Sequence, residues 1–162
     1  MNDNLIIAID PGAKGATAIK YPDGKTFVFP FISESEQRGI MLSLKAYCNA
    51  EEDMQVKAVV EHVDGFCGNA APGSAMFNFG RNFGYHLGLL AACGFSVELV
   101  RPSVWQKGYP KTAKIADKAK AKRDHKAELK EIAARKFPQL KVTLANADAL
   151  LILDWALKGG AR

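Results

Sequence analysis

The chain has 162 residues, 48% of them hydrophobic and 24% charged, with a net charge of +5. That length suits one domain, so residues 1–162 are expected to fold as a single unit, and the balance excludes disorder, collagen-like repeats and coiled coil. No apolar run approaches the ~18 residues a membrane span needs, and the opening residues lack the basic start of a secretory signal, so a cytoplasmic location is expected.

Leu5–Asp10 is a continuous apolar run stopped by Pro11-Gly12, which predicts a buried central strand with an acid at its end. Strands over Gly15–Lys20 and Lys25–Phe31, joined at Asp23-Gly24, would complete an antiparallel meander. Ser33 and Glu36 form a capping box, which predicts a helix to about Cys48. Val56–Glu61 is the next buried strand and again ends in an acid. A Gly/Ala/Pro loop over Asp64–Ser74 leads into a helix over Ala75–Cys93, with Gly94 as its C-terminal cap.

Within that helix Gly80, Gly84 and Gly88 recur every four residues, a ridge that admits a close backbone neighbour, either the sheet or the same helix of a second subunit. Phe95–Val100 alternates as a strand and is broken at Arg101-Pro102. A helix is expected over Asp124–Phe137, and another from an Asn146 cap to about Lys158, with Asp148 in its first turn. The order βββαβαβαα implies an α/β fold with a mixed five-stranded sheet flanked by helices.

Cys48, Cys67 and Cys93 are odd in number and lack C-x-x-C spacing, which argues against a zinc site and a disulfide framework; Cys93 reads as core. Three acids stand where structure alone does not require them: Asp10 and Glu61 end apolar strands, and Asp148 opens an apolar helix. Each has an ordinary explanation, respectively a turn residue, a lysine partner and a helix dipole. Together they are the ingredients of a hard-cation site, since carboxylate oxygens suit Mg²⁺ or Mn²⁺ and two such ions serve phosphodiester hydrolysis.

The segments IAIDPGAKGATAI, VVEHVDGF, SAMFNFGRNFGYHLGLLAACGF, LVRPSVWQK and NADALLILDWA, in this order over nearly the whole chain, resemble the RuvC-type Holliday junction resolvases, and most of all their divergent branch in phages and prophages. The resemblance implies an RNase H-like fold, a homodimer, and symmetric cleavage of four-way DNA junctions. It also implies that Asp10, Glu61 and Asp148 are catalytic and hold the metal, Mg²⁺ with Mn²⁺ as the other option. The family pattern has a further metal-binding acid or histidine one helical turn before the last acid; here that position is Ala145, and Asn146, His62, Asp64 or water would have to substitute.

The positive charge is local. Lys107–Lys136 holds eleven basic residues against four acids, a basic surface suited to phosphates unless it is only a solvated face. Lys107, Lys111, Lys114, Lys118, Lys122, Arg123 and Lys126 are the candidate DNA contacts. Lys107 is the first candidate for the lysine that the resemblance places at the scissile phosphate, and Lys126 another. Phe66 and Phe77 are candidates to stack on opened bases, and Arg81 for a phosphate or a partner acid. Phe79 and Trp105 read as core, and His86 and His125 as structural. Besides a junction resolvase, the sequence admits another RNase H-like nuclease on branched DNA or RNA–DNA hybrid, a phosphate binder of the actin and sugar-kinase type, and a non-catalytic junction-binding protein. No membrane partner is expected.

Overall fold

A computed structural model describes residues 4–51, 54–62, 64, 73–111 and 116–160. The strands are β1 (Asn4–Asp10), β2 (Ala16–Lys20), β3 (Thr26–Pro30), β4 (Gln55–Glu61) and β5 (Ser96–Val100). The helices are α1 (Glu34–Ala50), α2 (Gly73–Ala92), α3 (Pro102–Trp105), α4 (Lys118–Lys136) and α5 (Ala147–Leu157). One sheet runs in the order β3-β2-β1-β4-β5; the meander β1-β2-β3 is antiparallel, and β4 and β5 are parallel to β1. This is the mixed, helix-flanked sheet that the element order implies.

Strand side chains alternate between the two faces. Leu5, Ile7 and Ile9 of β1 join Ala58 and Val60 of β4 in a core with Met41 and Leu44 of α1 and Leu90 of α2. Ile6 and Ala8 join Val59 in a core on the other face, with Leu129 and Ala133 of α4 and most of α5. Helix α5 is buried nearly all round, between the sheet and α4.

Local signals set most boundaries. The Ser33 hydroxyl accepts the Glu36 N–H, as a capping box requires. Gly94, at φ +74, closes α2: its N–H donates to Ala91 O and the Phe95 N–H to Leu90 O, a Schellman pair. Most boundaries fall within two residues of the sequence expectation, and two differ in kind. Helix α4 begins at Lys118 rather than Asp124, because Asp117 caps it by accepting the Lys120 N–H. After Arg101 the chain does not simply break but turns through α3, with Pro102 in its first turn.

The glycine ridge does not pack on the sheet. Among the described residues, a Cβ placed at Gly80, Gly84 or Gly88 would meet no atom within 4 Å beyond the backbone of its own helix, and all three are exposed. The side of α2 that carries them faces outward. Among the described residues, no helix is long and apolar enough to cross a membrane.

Candidate active site

Asp10 and Glu61 end β1 and β4, adjacent parallel strands about 4.8 Å apart. Asp10 shares the side-chain parity of Ile6 and Ala8, and Glu61 that of Val59, so both turn to the face that α5 covers. Asp148 stands in the first turn of α5. Sheet topology and helix packing therefore bring three acids from distant parts of the chain to one end of one face.

Each is held differently. Asp10 Oδ1 accepts the Gly12 N–H at 2.9 Å, the turn role expected of it. The chain then doubles back so tightly that a Cβ at Gly15 would lie 2.0 Å from Asp10 O, and only glycine fits there. Among the described residues Glu61 has no lysine partner; its Oε1 accepts the indole N–H of Trp105 at 3.2 Å. Asp148 lies 3.9 Å from Lys126 Nζ, and its side chain is 16% exposed.

Burial is the first cause that raises the proton affinity of all three. It pushes Asp10 up to about 6, aided by the charge of Asp148 and opposed by the Gly12 N–H and Lys126. It pushes Glu61 up to about 8, aided by the charges of Asp10 and Asp148 and opposed by the Trp105 hydrogen bond and Lys126. Asp148 is also raised by burial, against the pull of Lys126 and His125. Lys126 is thus the lysine whose charge is felt at all three acids.

The donor chemistry fits a hard divalent cation: three half-buried carboxylates, of which Asp148 raises Asp10 and both raise Glu61, that would be relieved by positive charge. The fit is one of chemistry and facing. Among the described residues, no three His, Cys, Asp or Glu side chains are gathered closely enough to hold an ion as they stand.

The suggested substitutes for the missing fourth ligand fare unequally. Ala145 sits in the turn before α5, where the chain already winds helically, since the Ala147 N–H donates to Thr143 O. Asn146 precedes α5 but does not cap it with its side chain. Its Oδ1 accepts the Thr143 N–H and its Nδ2 donates to Lys141 O, so its amide is engaged within the loop. The His62 ring lies edge-on to Phe83 of α2, on the opposite face from Glu61, and its Nδ1 is 3.1 Å from Asp64 Oδ1.

The basic candidates divide into two groups. Lys118, Lys122 and Lys126 recur every four residues along the flank of the α4 seam formed by Ala121, Leu129 and Ala133; with Arg123 they are exposed, and their row ends beside Asp148. Lys107 and Lys111 line a cleft of about 490 Å³ with Ser103, Gln106, Tyr109 and His125, the last a neighbour of Lys126 in α4.

Phe77 is 72% exposed. Arg81 is paired with Glu34, and the Tyr85 hydroxyl donates to Glu34 O, which ties α2 to α1. Trp105 and Cys93 are buried, as their core readings require; His86, read as structural, is buried too, and Phe79, read as core, is only half-buried. Phe66, Lys114 and Cys67 lie outside the described residues.

Sequence reasoning missed the bond from Trp105 to Glu61. The only signal was Pro102 at the start of a helical turn ending in an aromatic residue with an N–H.

No protein-family model matches the chain, and no curated protein matches it. Solved structures do match it, two of them as follows. RuvC of Thermus thermophilus superposes with a TM-score of 0.51 at 16% identity, over 98% of this chain and 98% of that one. T. thermophilus RuvC in complex with its Holliday junction substrate superposes with a TM-score of 0.50 at 15% identity, over the same shares. The chain has a RuvC-like, RNase H-like fold.

Proposed function

We propose that the protein is a metal-dependent, structure-selective endonuclease that resolves four-way DNA junctions by symmetric phosphodiester hydrolysis, and that it belongs to the phage and prophage branch of the RuvC-type resolvases. The observation that carries this reading is the convergence of Asp10, Glu61 and Asp148 at one end of one sheet face, with Lys126 beside them. The likeness to a RuvC solved with a Holliday junction supports the substrate class.

Asp10, Glu61 and Asp148 would hold Mg²⁺ or Mn²⁺, which supplies activation of the attacking water and neutralises charge at the phosphate. Lys126 places a cation where a phosphate oxygen would approach Asp148, and so stands ahead of Lys107 as the scissile-phosphate lysine. The row Lys118–Lys122–Lys126 and the cleft at Lys107 and Lys111 offer two tracks for the backbone of a DNA arm. A junction has two equivalent scissile strands, so a two-fold homodimer suits it, and the outward ridge of α2 is the surface we assign to it.

Ala145 favours a second reading, a junction-binding protein that does not cut. The deciding experiment incubates the protein with a labelled four-way junction in Mg²⁺ and in Mn²⁺, beside duplex and RNA–DNA hybrid. Paired symmetric nicks in the junction alone are expected. Tight binding without nicks in either metal would favour the binder, and cleavage of the hybrid would favour another RNase H-like activity.

A further inference from the structure

Whereas Asp10 takes a backbone N–H from Gly12 and Asp148 lies 3.9 Å from Lys126, Glu61 is held by a buried side-chain donor. Its Oε1 accepts the Trp105 indole N–H at 3.2 Å, and among the described residues its Oε2 receives no hydrogen bond. Trp105 is 1% exposed, and Glu61 Oε1 is the partner its N–H finds. The indole reaches that place because α3 folds the chain back directly after β5, with Arg101 O accepting the N–H groups of Val104 and Trp105.

The indole is itself braced. Its ring meets Tyr109 edge to face, with centroids 6.5 Å apart, and the Tyr109 hydroxyl donates to Asp154 Oδ2 at 2.8 Å. Asp154 also pairs with Lys136 at the end of α4 and Lys158 at the end of α5. A line of contacts therefore runs from Glu61 through Trp105, Tyr109 and Asp154 to the ends of the two helices that pack over the site.

We propose that Trp105 is a positioning residue for metal binding. Its N–H fixes one oxygen of Glu61 and leaves the other for a divalent cation; this rests on the metal reading above. A carboxylate at a strand end otherwise rotates freely about its last torsion, and ordering it at the moment of binding weakens affinity. Donors that orient metal-binding side chains in this way are worth about 10–100-fold in metal affinity. A buried indole that merely satisfied its own N–H would affect stability and leave metal affinity alone.

The test uses the full chain without DNA. Mn²⁺ is titrated calorimetrically into native protein, Trp105→Phe and Asp148→Asn, with thermal unfolding followed for each. Trp105→Phe keeps an aromatic ring and removes the donor, so Mn²⁺ affinity should fall about 10–100-fold in a folded protein.

In parallel, Mg²⁺ is titrated into ¹⁵N-labelled native protein. The Trp105 indole N–H resonance, told from that of Trp155 with a Trp155→Phe variant, should shift saturably at the calorimetric midpoint while the Trp155 resonance stays put. Native-like Mn²⁺ affinity in Trp105→Phe overturns the proposal. An indole resonance indifferent to Mg²⁺ in a protein that binds the ion also overturns it, and this arm decides alone if Trp105→Phe does not fold. If native protein and Asp148→Asn take up Mn²⁺ equally, the metal reading itself fails and the role of Trp105 falls with it.

Discussion

Helices α5 and α2 are the two most apolar helices of the chain, and they use that apolarity in opposite ways. Helix α5 has 11 residues and buries seven of them, so that Asp148, carried among them, is forced out of water and into the company of Asp10 and Glu61. Helix α2 has 20 residues and buries only His86 and Leu90, leaving Phe77 and the Gly80, Gly84 and Gly88 ridge outside. Apolar sequence within the chain's own core builds the site. Apolar sequence beyond what the core can cover is surface of the kind used to meet another molecule. The two faces should therefore fail separately when each is altered.

The largest effect is expected at the acids. Asp10→Asn should abolish junction cleavage, a loss beyond the about 10–100-fold that removing an outer-sphere partner costs. Junction binding, measured by mobility shift in EDTA, should persist or tighten, since a negative charge that repels phosphate is gone. Native cleavage by Asp10→Asn would remove the acids from the chemistry. Assembly, measured by sedimentation, should not change.

Core packing gives the next largest contrast. Leu151 of α5 is fully buried, so Leu151→Ala should cost about 2–5 kcal/mol by denaturant unfolding. Phe77→Ala at the exposed end of α2 should change the stability of the monomer by no more than about 0.5 kcal/mol. A large loss from Phe77→Ala at concentrations where the protein is monomeric would mean that α2 is better covered within its own chain than its exposure indicates.

Stability should also depend on pH through the site, while His86, which burial lowers to about 4, works in the opposite sense below its ordinary value near 6.5. Folding raises Asp10 to about 6 and Glu61 to about 8, whereas unfolded carboxyls titrate near 4. At these two groups the folded state therefore binds more protons between about pH 4 and 8, and above about pH 6.5, where His86 no longer opposes them, metal-free protein should lose stability as pH rises. Glu61→Gln should flatten the upper part of the curve and gain roughly 2–4 kcal/mol at pH 8.5. Saturating Mg²⁺ should stabilise native protein there in the same direction. A native curve that is flat above pH 6 would show that Glu61 ionises without difficulty, and that its surroundings are wetter than the structure has them.

The same contrast shows what the sequence could and could not disclose. The acids were legible because each ends or opens an apolar run, where a carboxylate is out of place. The strands and the capped ends of α1 and α2 were legible because their signals, Ser33 with Glu36 and Gly94 after Cys93, act over a few residues. The first turns of α4 were missed because Asp117 looked like one more charge in a basic run rather than a cap. The role of Lys126 was left open because only the packing of α4 on α5 sets it beside Asp148. Trp105 read as core, which it is, but its N–H finds Glu61 across 44 residues of chain, a pairing that no local pattern encodes. The direction of the glycine ridge was undecidable for the same reason: spacing defines a stripe, and only tertiary packing says which way the stripe faces.

The smallest expected effect decides what that stripe is for. Gly84 lies inside α2, and among the described residues a Cβ there would meet no atom within 4 Å beyond the backbone of its own helix. In the isolated chain, Gly84→Ala should therefore be stabilising by roughly 0.5–1 kcal/mol, the helix-propensity difference with no steric cost against it. If two α2 helices approach along the ridge, the same methyl group from each subunit would enter the seam and hold the backbones apart. The variant should then melt higher as a monomer yet dimerise more weakly, two changes of opposite sign from one substitution. Thermal unfolding at low protein concentration reads the first, and sedimentation equilibrium across a concentration series reads the second. Junction cleavage should follow the dimer, falling at low enzyme concentration and recovering as concentration rises, because the acids themselves are untouched. Gly84→Ala that raises the melting temperature and leaves association unchanged would place the dimer contact elsewhere, and would make the glycines a feature of α2 alone.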